Sequence, residues 1–151
     1  NGKIEGAQQH CMNENVPVAR LILKGISRIG RPLEDINTSI ENAGKLEVYK
    51  LEKNISVLAT ISGVAPMLGF LGTVIGMILS IFEISNAGGN IDMQLLSNGL
   101  YTAMTTTVAG LIVGICGYIS YNHLVVKINK VVYQMESSTL DFLDLLNEPS
   151  E

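Results

Sequence analysis

Tryptophan is absent from this 151-residue chain, and there are only five tyrosines and three phenylalanines. A strong aromatic belt is therefore not expected. Tyr101, Tyr118, Tyr121 and Tyr133 are the candidates for interfacial anchors. Cysteine is nearly as scarce. Cys11 lies in a polar N-terminal stretch and Cys116 in an apolar one, and such different surroundings argue against a disulfide. His10-Cys11 has no second ligand pair, so no metal site is expected. No Walker motif and no Gly-x-Gly-x-x-Gly fingerprint occurs, and no constellation of nucleophile, base and acid emerges, so the sequence points away from an enzyme and implies no cofactor. A net charge of −4 without a basic cluster gives no reason to expect a nucleic-acid partner.

The most informative absence is charge. All ten lysines and arginines lie at or before Lys53 or at or after Lys127, and the interval between holds only two acids, Glu83 and Asp92. Two long apolar segments fill it, Val57–Ile84 and Leu95–Val126, separated by Ser85-Asn86-Ala87-Gly88-Gly89-Asn90. A charge at the centre of a membrane helix costs about 2.5–3.5 kcal/mol on insertion scales, so a gap of this length marks a transmembrane hairpin. The flanking basic residues place both of its ends in the cytoplasm, and the loop, free of them, in the periplasm. The chain begins with Asn1 and shows no signal peptide, so its start is expected to be a cut.

Residues 1–15 show no periodicity and are expected to be poorly structured. Residues 16–54 are predicted to be a cytoplasmic helical region. Pro17 suits a helix's first turn, and Val18, Leu21, Ile22, Leu23, Ile26 and Ile29 give an apolar stripe. Gly30 is a plausible stop and Pro32 a restart, followed by the acids Glu34 and Asp35. Ile36, Ile40, Ala43, Leu46 or Glu47, and Leu51 continue at helical spacing, and no breaker separates them from Ile55. One helix is therefore predicted to run from solution into a membrane span at 55–84. A short periplasmic loop at 85–94, a second span at 95–126 and a cytoplasmic helical extension and tail at 127–151 complete the layout. The second apolar segment alone is about 48 Å long at 1.5 Å per residue, more than the roughly 30 Å hydrocarbon core, so it should project beyond the membrane.

Both spans carry a face of small residues. Ser62, Pro66, Gly69, Thr73, Gly76 and Ser80 recur every three or four positions, as do Ala103, Thr107, Gly110, Gly114, Gly117 and Tyr121. Gly72 and Gly76 also form a Gly-x-x-x-Gly pair. Such faces let helix backbones approach closely in lipid. Pro66 is expected to kink its helix. Pro66, Gly69, Gly72, Gly76, Gly110, Gly114 and Gly117 are thus predicted packing residues. A hairpin with small or polar faces on both helices is not expected to bury them all by itself, and a homo-oligomer is the economical way to cover the rest.

The polar groups inside the spans are hydroxyls. Thr73 and Thr107 lie at mid-depth, and Thr102, Thr105, Thr106 and Ala109 add a neighbouring hydroxyl-rich face. One reading is structural, each hydroxyl bonding the carbonyl one turn back. The other is an ion path, because hydroxyls both donate and accept and can hold water in a narrow pore. No acid lies in the middle of either span, so a proton path here takes its titrating group from another subunit.

The run Ile61-Ser62-Gly63-Val64-Ala65-Pro66-Met67-Leu68-Gly69-Phe70-Leu71-Gly72-Thr73-Val74-Ile75-Gly76-Met77 resembles the A-P-x-x-G-L-x-G-T-V-x-G-M signature of the ExbB/TolQ/MotA proton-channel family, closest to ExbB. Gly99-Leu100-Tyr101-Thr102-Ala103-Met104-Thr105-Thr106-Thr107-Val108-Ala109-Gly110-Leu111, ending in Tyr121-Asn122, is similar to its last membrane helix. Arg31-Pro32-Leu33-Glu34 and Leu51-Glu52-Lys53-Asn54 resemble the cytoplasmic stretch before it. The resemblance covers about Pro17–Lys130.

It implies an all-α membrane protein of long antiparallel helices that span the membrane and extend into the cytoplasm. It also implies a homo-oligomeric bundle, a pentamer, around a central pore in the bacterial inner membrane, in contact with lipid. A family member has one further membrane helix before the cytoplasmic stretch, which is expected to be missing from this chain. The implied partners are an ExbD/TolR-like single-pass dimer, whose membrane aspartate carries the proton, and a TonB-like protein. Thr73 and Thr107 match the family's pore threonines, with Thr102 and Thr106 beside them. Thr102 stands where many ExbB and TolQ proteins have a glutamate, which leaves sodium as an alternative to the proton. The short loop between the spans favours ExbB/TolQ over flagellar stators. The implied task is to energise TonB-dependent outer-membrane transport. A TolQ-like role in envelope maintenance, a gliding motor and a non-conducting membrane scaffold are the alternatives.

Overall fold

Proline and glycine set the first boundaries. The computed structural model describes residues 2–14, 16–86 and 93–147. α1 spans Gly2–Asn13, and α2 spans Pro17–Ile26 with its proline at the helix start. The chain leaves α2 through Gly30, whose φ of +96° suits only a residue without Cβ. Pro32 then caps α3, Leu33–Glu52, with Glu34 and Asp35 in the first turn, where the helix dipole favours acids. α4 spans Ile55–Asn86 and α5 Met93–Asn147. No strand occurs among the described residues, and two helices are long and apolar enough to cross a membrane. The chain is an all-α membrane protein.

One expectation needs correcting. Residues 2–13 are helical although they lack an apolar stripe. Helix formers such as Lys3, Glu5, Ala7, Gln8 and Gln9 suffice, and α1 packs against α2. The helix predicted to run from solution into the membrane extends over Leu33–Asn86, with α3 and α4 separated only by a turn at residues 53–54. Lys53 keeps right-handed helical angles, φ −48° and ψ −41°. The predicted Gly/Asn turn lies mostly at 87–92, outside the described residues, as does Asp92.

The chain forms two compact units, residues 1–53 with 125–151, and residues 54–124. In the first, Leu21 of α2, Ile36 and Ile40 of α3 and Met135 of α5 form a buried core, flanked by Val18, Val48, Val131, Phe142, Leu143 and Leu146. At the position left open between Leu46 and Glu47, Glu47 faces inward, 6% exposed, and Leu46 outward, 63% exposed. A charge is tolerated there because Arg20 Nε and Nη2 donate to Glu47 Oε2 at 3.0 and 2.5 Å, and Lys50 Nζ donates to Oε1 at 2.7 Å. The hydrogen bonds from Arg20 and then Lys50 outweigh burial and hold the Glu47 carboxyl below the usual range.

The second unit is an antiparallel helix pair with an inverted surface. Met67, Leu68, Phe70, Ile78, Leu79, Ile81 and Phe82 of α4 are exposed, whereas the buried residues of α4 are Gly69 and Ser80. A contiguous apolar exterior around a small-residue seam suits a lipid solvent, not water.

Candidate functional site

The seam of the second unit is built by residues that lack side-chain bulk. Along α4 the order is Ser62, Pro66, Gly69, Gly72, Gly76 and Ser80. Their neighbours on α5 run the other way, Gly117, Gly114, Gly110, Thr106, Ala103 and Gly99. A methyl added at Gly110 would come within 2.6 Å of the Ala65 carbonyl oxygen and 2.8 Å of Gly69 Cα. One added at Gly69 would meet the Thr106 carbonyl oxygen at 3.0 Å and Thr107 Cα at 3.2 Å. Main chain thus packs directly on main chain at the Gly69–Gly110 crossing. At Gly114 the same methyl would strike the Pro66 ring at 2.5 Å, so the glycine is the socket for the proline.

Pro66 has no N–H to give the Ser62 carbonyl one turn back. That oxygen lies 3.2 Å from the position a Gly114 Cβ would take, so the freed acceptor faces the neighbouring helix. The two small faces therefore bury one another inside a single hairpin. The hydroxyl-rich face of Thr102, Thr105 and Ala109 stays exposed beside them. The register that joins them was not visible in either face taken separately.

This close approach brings two threonines together. The Thr73 and Thr107 hydroxyls are hydrogen-bonded to each other across the seam. Thr107 Oγ1 is also 3.1 Å from the Gly69 carbonyl oxygen, and Thr73 Oγ1 is 3.3 Å from that of Ala103. Both side chains are half-buried. Thr106 lies beside them. Its Oγ1 donates to the Ala103 carbonyl at 2.7 Å and sits where a Gly72 side chain would otherwise be.

Thr102 and Thr105 take a different position. Both are exposed on the outside of the hairpin, bonding the carbonyls of Asn98 at 3.0 Å and Tyr101 at 2.8 Å. The four threonines Thr102, Thr105, Thr106 and Thr107 thus split into an inner pair, Thr106 and Thr107, and an outer pair. Helix geometry explains the split, since Thr102 and Thr107 are about 140° apart around the axis at 3.6 residues per turn.

Sequence reasoning missed the main-chain members of the site, the carbonyls of Gly69 and Ala103. The available signal was their place on the small faces, where absent side-chain bulk opens the backbone to a hydroxyl from across the seam. Glu83 is exposed near the end of α4 and takes no part in the cluster. No group of three or more metal-ligating side chains occurs among the described residues.

Three relatives illustrate what the chain resembles. Biopolymer transport protein ExbB of Aquifex aeolicus is 36% identical over 111 residues, covering 72% of this chain and 74% of the relative. Biopolymer transport protein ExbB of Helicobacter pylori J99 is 38% identical over 77 residues, 51% of this chain and 52% of the relative. The Tol-Pal system protein TolQ of Haemophilus influenzae is 28% identical over 101 residues, 67% of this chain and 44% of the relative. Apart from the Aquifex protein, the chain spans about half the length of the curated relatives it matches. Residues 13–137 match the family described as MotA/TolQ/ExbB proton channel, a stretch that takes in both helices of the seam. This chain belongs to the MotA/TolQ/ExbB proton channel family.

Proposed function

We propose that the chain is the channel subunit of an ExbB-like complex in the bacterial inner membrane. In this reading it uses the proton motive force to energise TonB-dependent transport across the outer membrane. The observation that carries it is the paired Thr73 and Thr107 hydroxyls at mid-depth in a hairpin without a mid-span charge. Threonines that bond across helices also serve packing, so the path reading rests on the mid-depth position of this pair together with the match to a proton channel family. Two hydroxyls in contact can accept a proton at one oxygen and release one from the other. With no carboxylate in mid-span, the titrating acid comes from a partner. We assign it to the membrane aspartate of an ExbD/TolR-like single-pass dimer, surrounded by copies of this chain, most simply five. The exposed Thr102 and Thr105 hydroxyls then face that dimer or the water around it rather than lipid. Localisation with both helix ends cytoplasmic follows the placement of the basic residues.

A TolQ-like role in envelope maintenance is the second reading, favoured by the similarity to the Haemophilus protein. Both roles share the ion path and differ in the partner that uses it.

The test is ion flux in proteoliposomes holding the full-length protein with its co-purified single-pass partner, beside a Thr73→Val/Thr107→Val variant. Proton flux that needs the partner and is lost in the variant supports the path. Equal flux from wild type and an intact variant complex reduces the threonines to packing groups. The identity of the co-purified partner decides between the ExbB-like and TolQ-like roles.

A further inference from the structure

The Ala103 and Gly69 carbonyls are each approached by more donors than they have lone pairs, and that competition has a definite outcome. A carbonyl oxygen has two lone pairs. Within α5 the Thr107 N–H donates to the Ala103 carbonyl, and within α4 the Thr73 N–H donates to the Gly69 carbonyl, as helix geometry requires. One lone pair remains on each oxygen.

At Ala103 the Thr106 hydroxyl is at 2.7 Å and the Thr73 hydroxyl at 3.3 Å. At Gly69 the Thr107 hydroxyl is at 3.1 Å and the Thr73 hydroxyl at 3.4 Å. The shorter contact wins in each case. Thr106 therefore saturates Ala103, and Thr107 saturates Gly69. The single hydrogen of Thr73 has one acceptor left, Thr107 Oγ1.

We infer that Thr106 is a positioning residue that orients the Thr73–Thr107 pair, by occupying the Ala103 carbonyl and forcing Thr73 to donate to Thr107. The pair then has a direction. Thr73 is its accepting end, with both lone pairs open to an incoming donor, and the Thr107 hydrogen is committed to Gly69. Without the Thr106 hydroxyl the opposite arrangement becomes available. Thr73 then donates to Ala103, Thr107 donates to Thr73, and Gly69 loses its side-chain donor. Gly72 is what permits the arrangement, since a methyl there would come within 2.5 Å of Thr106 Oγ1. Thr106 is thus assigned a role beside the path rather than in it. The purpose of the direction rests on the ion-path reading above, but the direction itself does not.

The experiment is pair-selective solid-state NMR on the full-length protein in its complex. Gly69-Phe70 and Ala103-Met104 are unique Gly-Phe and Ala-Met pairs in the sequence. Labelling the carbonyl carbon of the first residue type and the nitrogen of the second therefore reports each carbonyl alone within these 151 residues, and each signal is assigned by its loss in Phe70→Leu or Met104→Leu. A carbonyl carbon moves upfield when it loses a hydrogen-bond donor.

In Thr106→Val, which keeps the side-chain shape, the Gly69 carbon is expected to move upfield and the Ala103 carbon to stay, because Thr73 replaces the lost donor. Thr106→Ser is expected to restore Gly69. A residue that merely packs gives the opposite pattern, Ala103 moving and Gly69 unmoved, and that result overturns the inference. So does a joint shift of both carbons, which reports a loosened hairpin. Flux in Thr73→Val/Thr107→Val is scored separately. Lost flux beside a failed carbon-shift test retires the orienting role and leaves the path standing. Unchanged flux beside a positive shift test leaves the orientation standing without a path.

Discussion

Replacing Gly110 by alanine tests the seam where it is tightest. The new methyl would sit 2.6 Å from the Ala65 carbonyl oxygen and 2.8 and 3.1 Å from Gly69 Cα and N. All three are backbone atoms of α4, so no rotamer change relieves the contact. Bringing 2.6 Å up to an ordinary contact moves the helices apart by about 0.8 Å locally, since close packing leaves no slack to absorb the methyl. The Thr107 to Gly69 bond, now 3.1 Å, then stretches to about 3.9 Å, and the Thr73 approach to Ala103, now 3.3 Å, to about 4.1 Å. Both exceed hydrogen-bond range.

Overpacking typically costs about 1–3 kcal/mol, and each interhelical hydrogen bond in a membrane adds about 0.6 kcal/mol. The expected destabilisation of the hairpin is therefore about 2–4 kcal/mol, with loss of ion flux. Steric trapping of the hairpin in bicelles measures the first, and the proteoliposome assay measures the second. Gly63→Ala is the control, because nothing lies within 4 Å of its added methyl. If Gly110→Ala matches Gly63→Ala in both stability and flux, the main-chain contact is not what holds the pair, and the reasoning fails.

Two further outcomes follow from other contacts. A methyl at Gly99 would overlap the buried Ser80 hydroxyl, which otherwise donates to the Gly76 carbonyl at 2.9 Å. Gly99→Ala is therefore expected to destabilise the hairpin by about 1–3 kcal/mol. Ser80→Gly should recover much of it, and a double-mutant cycle that proves additive would refute the contact. In the first unit the Glu47 carboxyl is depressed by Arg20 and Lys50, so its contribution is fully present above the ordinary carboxylate range and is lost as pH falls through the lowered value. Glu47→Gln is expected to cost about 1.5–3 kcal/mol at neutral pH, the range for hydrogen bonds to charged groups, and to flatten the acid limb of the stability profile. An unchanged acid limb on chemical denaturation would show that the ion cluster does not support this core.

The sequence alone determined that this chain is a membrane hairpin of long helices. Charge in mid-membrane is costly, and the interval from Lys53 to Lys127 keeps it out over the length of two spans. Glycine, serine and threonine recurring every three or four residues state which face packs. The sequence did not determine what packs on that face. Period identifies a face but not a register, so it could not reveal that Gly110 meets Gly69 and Gly114 holds the Pro66 ring, nor that the two small faces cover each other.

The same limit applied to the threonines. Five hydroxyls were legible as polar groups in lipid, but only the crossing decided that Thr73, Thr106 and Thr107 converge while Thr102 and Thr105 turn outward. Leu46 and Glu47 were interchangeable by spacing. The choice fell to Glu47 because Arg20, 27 residues away, supplies the countercharge that lets a carboxylate be buried. Patterns of volume and charge along a chain are local and survive in the sequence. Which carbonyl a hydroxyl meets is set by the distance between two backbones, and that belongs to the tertiary structure alone.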